Sequence, residues 1–213
     1  TADFVKEAWA LFLEIEQAGG IDAYTALDAQ IAQVYATRIK AVETRKHSLI
    51  GTNIYANPVD EIPTIENAQF ADVKRLATPF ENLRQSFAEA NAKIAILTYG
   101  ELKNFKPRAD FVAGFFATAA VVAEQSGAIS SIDEAKSWLA NSDYDYVVIA
   151  ATDDDTKELV PALLDGKRAN VVLDAAGKYK EEQAEWTQNG LNGFIFAGQN
   201  IIEKLNSVTT SIK

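Results

Sequence analysis

KIAILTYGELKNFKPRADFVAGFF, from Lys93 to Phe116, is the stretch that decides the fold. Lys93 to Thr98 is a short apolar run with β-branched residues at alternate positions, bounded by Gly100, as expected of a buried parallel strand. Tyr99 to Arg108 reads as the loop that follows it, and a helix is predicted from Ala109 to Thr118 with Phe111, Val112, Phe115 and Phe116 inward. Ligands of open α/β sheets bind outside the carboxyl ends of the strands, so this loop faces the site. It carries Gly100-Glu101-Leu102-Lys103-Asn104-Phe105-Lys106-Pro107, with no His, Cys or Ser.

Downstream the pattern alternates to the end of the chain. Strands are predicted at Ala120–Ala123, Tyr146–Ala150, Asn170–Leu173 and Gly193–Ala197. Helices are predicted from the capping box Ser131-Ile132-Asp133-Glu134, at Thr156–Leu164, at Lys178–Asn189 and at Ile201–Ser207. Short apolar strands separated by amphipathic helices imply right-handed crossovers and a parallel sheet covered on both faces. The fold class is therefore α/β: a flavodoxin-like, doubly wound five-stranded sheet in the order 2-1-3-4-5.

Upstream, Val5, Ala8, Trp9, Phe12 and Ile15 share one face of a helix over Ala2–Ala18, and Gly19-Gly20 ends it with a left-handed turn. A second helix is predicted from about Asp22 to Arg45, lined by Ala23, Leu27, Ile31, Val34 and Ile39, and should pack antiparallel to the first. Each would bury one side only, so a further docking surface is expected. His47 to Tyr55 reads as extended, and Pro58 and Pro63 break regular structure between Asn57 and Glu66. Thr78-Pro79-Phe80-Glu81 opens another helix, with Thr78 as N-cap, Glu81 closing a capping box, and Phe80, Leu83 and Phe87 buried.

The totals set limits. With 213 residues, 48% hydrophobic and 23% charged, the chain can bury a core. A formal charge of -10 argues against nucleic acid or an anionic membrane as partner. The absence of Cys removes disulfides and thiolate metal sites. No run approaches the roughly 20 apolar residues that span a bilayer, and no signal-peptide pattern opens the chain, so a cytoplasmic location is expected. A chain that begins Thr-Ala-Asp and has no Met reads as a piece of a longer polypeptide.

Several stretches together carry a resemblance. They are Ala8-Trp9-Ala10-Leu11-Phe12 with Ile15-Glu16 and Gly19-Gly20; Thr44-Arg45-Lys46 with Ile50-Gly51-Thr52-Asn53; Arg75 to Arg84; Arg108-Ala109-Asp110-Phe111 with Phe115-Phe116; and Gly193 to Gly198. In this order they resemble the C-terminal third of the small, non-catalytic subunit of bacterial heterodimeric methylmalonyl-CoA mutase. The resemblance implies a domain organisation: residues 1–56 as the helical end of an acyl-CoA mutase barrel region, 57–77 as a linker, and 78–213 as a domain shaped like a cobalamin-binding domain.

That family's cobalamin domains mark the first loop with Asp-x-His-x-x-Gly, whose His coordinates cobalt and whose Asp orients it. Here the mark falls across Leu102 and Lys103 and neither residue is present. The second mark, Ser-x-Leu, falls at Ala150-Ala151-Thr152, and the third, a Gly-Gly pair, at Asp174-Ala175-Ala176; both are lost. His47, the single His, reads as an ordinary surface or partly packed residue with no second ligand near it in sequence. Asp153-Asp154-Asp155 reads as a solvated helix start with Asp155 as cap, and would repel a phosphate-bearing tail. Gly198-Gln199-Asn200 reads as a strand-to-helix turn, with anion binding on its N–H groups as the weaker option. Lys103, Lys106 and Arg108 read as a solvated loop, with contact to a partner or a substrate phosphate as the other option.

No catalytic, cofactor-binding or metal-ligating residue is therefore expected. The resemblance implies a structural and assembly role beside the catalytic large subunit, in a heterodimer whose adenosylcobalamin sits in that partner and which interconverts methylmalonyl-CoA and succinyl-CoA. Two alternatives stay open: a cobalamin-binding domain of a catalytic acyl-CoA mutase, and a receiver-like signalling module that takes a phosphoryl group on Asp153, Asp154 or Asp155. The second would need an acidic Mg²⁺ pocket after the first strand and a Lys after the fifth, where Thr98-Tyr99 and Ala197-Gly198 stand.

Overall fold

The computed structural model describes residues 1–60, 73, 75–167 and 170–212. It divides into two compact units, Thr1–Lys40 and Ala41–Lys213. The linker expected over 57–77 falls largely on residues 61–72 and 74, outside the described residues.

In the first unit α1 spans Ala2–Gln17, and Gly19 and Gly20 take φ of +100° and +93° to turn the chain. α2 covers Leu27–Glu43 and so begins later than Asp22. The reason is Tyr24, which is buried in the intervening turn and donates to Glu14 Oε1 at 3.0 Å while accepting from Gln30 at 2.8 Å. α1 buries none of its side chains.

The second unit is the doubly wound domain. Its elements are α3 (Thr78–Ala90), β1 (Ile94–Tyr99), α4 (Leu102–Ala117), β2 (Glu124–Ile129), α5 (Ile132–Asn141), β3 (Tyr146–Ala150), α6 (Asp153–Leu164), β4 (Val172–Ala176), α7 (Gln183–Gln188), β5 (Gly193–Ile195) and α8 (Ile201–Ser211). All four strand pairings are parallel and the order is β2-β1-β3-β4-β5, as expected. Alternation along each strand splits the core. Ile94, Ile96, Tyr146, Val148 and Ala150 face α3, α4 and α8, whereas Ala95, Leu97, Val147 and Ile149 face α5, α6 and α7.

Several boundaries differ from the sequence reading, each for a local reason. α4 begins at Leu102 and runs through Pro107, so the long loop reduces to Gly100 and Glu101. Phe105, Ala109, Val112 and Phe116 form one buried stripe, and that burial outweighs the hydrogen bond a mid-helix Pro removes. β2 is the polar run from Glu124, not Ala120–Ala123. Ala120 instead takes a left-handed turn at φ +57° after α4. At the sheet edge β2 is largely exposed, so an apolar criterion passes over it. α3 has Thr78 inside the helix and Ala77 as its uncapped start, because Glu81 pairs with Arg75 at 2.5 Å instead of closing a box. His47 to Tyr55 forms successive turns joined by a single Ile50–Ile54 bridge, not an extended run.

Candidate functional site

β1, β3 and β4 pair side by side, and their carboxyl ends bring together the three positions at which the sequence reading expects lost cobalamin marks. Leu102 and Lys103 lie in the first turn of α4, and Leu102 is exposed. Ala150 closes β3 and Ala175 and Ala176 close β4, all buried. Thr152 is the N-cap of α6: its hydroxyl accepts from the Asp155 N–H at 3.1 Å and donates to that residue's carboxylate at 2.6 Å. The cap is thus Thr152, not Asp155, since the three aspartates already belong to the first turn. There they complement the positive end of the helix dipole.

Arg108 crosses this crevice from α4. Its Nη1 donates to the carbonyl of Ala151 and, at 2.9 Å, to the Tyr179 hydroxyl, while Nη2 donates to Asp153 Oδ1. Tyr179 in turn donates to the Ala176 carbonyl at 3.3 Å and is 4% exposed. Its ring rests on Trp186 and Phe194, with centroids 5.2 and 6.0 Å away. The ends of β3 and β4, the second turn of α4 and the start of α6 are therefore tied through one guanidinium and one phenol. The hydrogen bond from Arg108 holds the Asp153 carboxyl below its ordinary range, and burial raises the Tyr179 phenol. Sequence reasoning treated Arg108 as a loop residue and did not single out Tyr179. The signal was the place of Arg108 three residues after Phe105 and four before Val112, on the flank of the buried stripe.

Two other cations of α4 are also paired. Lys103 meets Glu101 at 2.7 Å and Lys106 meets Asp110 at 2.8 Å. In the turn before α8, Gln199 bonds the backbone of Phe194 and Phe196. Asn200 caps Glu203 and donates to Glu43 at 3.0 Å. Those groups are committed to the turn itself. His47 is exposed and distant in sequence from every mark. Among the described residues no group of three His, Cys, Asp or Glu side chains could hold a metal ion, and no helix is long and apolar enough to cross a membrane.

Below the crevice lies a second polar cluster that the sequence reading missed, having ended the fourth strand at Leu173. Asp174 is fully buried inside β4 and is met by Lys204 of α8, by the Tyr146 hydroxyl and, at 3.0 Å, by Asn192. Burial and the adjacent carboxylate push the Tyr146 phenol well above its usual range.

A family model for methylmalonyl-CoA mutase matches residues 1–135, more than half of the chain. The chain belongs to the methylmalonyl-CoA mutase family. It is 25% identical over 223 residues to the methylmalonyl-CoA mutase small subunit of Porphyromonas gingivalis, covering 95% of this chain and 35% of that relative. It is 23% identical over 219 residues to the probable methylmalonyl-CoA mutase small subunit of Mycobacterium tuberculosis, covering 100% and 35%. The chain thus spans about a third of the length of the curated methylmalonyl-CoA mutase relatives it matches.

Proposed function

We propose that this chain is part of the small subunit of an adenosylcobalamin-dependent methylmalonyl-CoA mutase, with a structural and assembly role and no cofactor of its own. On this reading residues 1–56 belong with the barrel region of the longer polypeptide, the catalytic large subunit holds the cofactor, and the heterodimer works in the cytoplasm on propionate-derived acyl-CoA. Similarity to relatives named small subunits supports the partnership.

The observation that carries the loss of the cofactor is the Arg108–Tyr179 tie across the carboxyl ends of β3 and β4. Bound with its own base displaced, as the family's His mark implies, cobalamin would take a ligand from the first loop and need an open path for its nucleotide tail. The residues present do not fit it. The first loop has no His, α4 begins directly after Glu101, and Tyr179 occupies the space beside Gly177. Three aspartates line the start of α6 with Asp153 held ionised by Arg108, which disfavours a phosphate-bearing tail.

The test is titration of the purified chain into adenosylcobalamin and hydroxocobalamin, followed by visible absorption and equilibrium dialysis. Neither retention nor a spectral change is expected. Stoichiometric retention overturns the reading.

A further inference from the structure

The turn between α7 and β5 carries both Asn-Gly steps of the sequence, Asn189-Gly190 and Asn192-Gly193. An Asn followed by Gly can lose its amide without an enzyme. The Gly backbone nitrogen gives up its proton to water and attacks the Asn side-chain carbonyl carbon. A C–N bond forms, ammonia leaves, and a five-membered imide closes. Water then opens the imide at either carbonyl, leaving Asp or isoaspartate, with no oxidant or reductant involved. Gly favours the attack because it has no Cβ to crowd its nitrogen and its backbone turns freely. In a folded chain the outcome depends on whether the side chain and the following peptide can move together.

Solvent access does not separate the two steps, since Asn189 and Asn192 are both exposed. Hydrogen bonding does. The Asn192 amide donates to the fully buried Asp174 at 3.0 Å, and its Oδ1 accepts from the Ser211 hydroxyl at 3.2 Å. Its own N–H donates to Leu173 O at 2.8 Å, and Gly193 pairs with Asp174 in the sheet. Cyclisation there would break both side-chain bonds and a strand pairing.

Asn189 is the C-cap of α7, a helix of six residues, with φ -84° and ψ 0°. Among the described residues nothing hydrogen-bonds its side chain. The Gly190 N–H donates to Thr187 O at 3.1 Å, and that bond must open for the nitrogen to attack. It lies at the end of a short helix, where local opening costs least. Beyond it the chain is clamped again, by Leu191 N–H on Trp186 O at 2.9 Å and by Lys167 Nζ on Gly190 O at 3.0 Å.

We propose that Asn189 is a site of spontaneous deamidation in the folded protein and that Asn192 is protected from it. Conversion adds a negative charge at the end of α7. The isoaspartate product also lengthens the main chain by one carbon directly before Leu191, which is buried.

The test is peptide mapping of the purified chain after several weeks of warm incubation, native and in urea, with fragment spectra that resolve the two positions. In the native protein Asn189 is expected to convert about tenfold or more faster than Asn192. In urea, where the hydrogen bonds are gone, the two should convert at comparable rates. Asn189→Gln, whose longer side chain would have to close a six-membered ring, should remove the native mass gain while keeping the wild-type circular dichroism. If Asn192 converts as fast as Asn189 in the native protein, hydrogen bonding does not make the choice and the proposal falls. It falls equally if Asn189 stays an amide in the native protein while the urea sample converts, or if the difference between the two positions persists in urea.

Discussion

At Gly177 the backbone takes φ +133°, and a Cβ placed there would stand 2.8 Å from the Tyr179 ring. Only Gly satisfies the dihedral and the ring at once. Gly177→Ala should therefore cost about 2–3 kcal/mol in a urea melt, and Tyr179→Ala in the same background should recover the steric part, giving less than additive losses. Tyr144 offers a pH test at the same scale. It donates to Glu124 at 2.6 Å, and that bond, followed by burial, raises its phenol to about 12. A raised phenol pKa means that the folded state holds the proton more tightly than the unfolded chain. Its contribution is fully present below the ordinary value near 10 and is lost as pH rises through about 12. Spectrophotometric titration of tyrosinate should show the high-pH step shrink in Tyr144→Phe, and stability between those limits should fall less steeply in that variant.

The elements that sequence patterning recovered are those whose side chains are buried on a regular period. Tyr146 to Ala150 is an uninterrupted buried strand and was read to the residue, and the Ser131 cap is present as expected, accepting from Glu134 N at 3.2 Å. The misread elements are those set by contacts distant in sequence. β2 is polar because only its pairing with β1 makes it a strand, and α4 passes Pro107 because Phe105 has a place in the core. At the candidate site the missing His was legible in the sequence. The Arg108–Tyr179 tie was not, because its partners are 71 residues apart. One local device has a simple measurable weight: Thr152 caps α6 and ends at the crevice. Thr152→Ala should destabilise by about 1 kcal/mol in chemical denaturation, whereas Thr152→Ser should be close to neutral. A loss near zero for Thr152→Ala would show that the first-turn aspartates alone hold the helix start.

Across the whole doubly wound unit, the buried Asp174–Lys204 pair ties the last helix to the sheet. Gly193 leaves room for it, since a Cβ there would stand 3.1 Å from the ammonium. Two charges so deeply buried stabilise only as a pair; alone, either is a liability. Lys204→Met should therefore cost about 3–5 kcal/mol, because it strands a carboxylate beneath α8. Asp174→Asn with Lys204→Met should regain most of that loss, because the neutral amide can still bond Tyr146 and Asn192. The tie lies inside Ala41–Lys213, as do both apolar clusters. Each face of the sheet is thus covered by the chain's own helices, and the carboxyl edge is closed by its own Arg and Tyr. A fragment of residues 41–213 should accordingly unfold in urea as one cooperative transition with the same midpoint whether or not cobalamin is added. A transition that appears only with cobalamin, or a midpoint that rises with its concentration, would mean that the ligand supplies stability this closed edge is expected to provide itself.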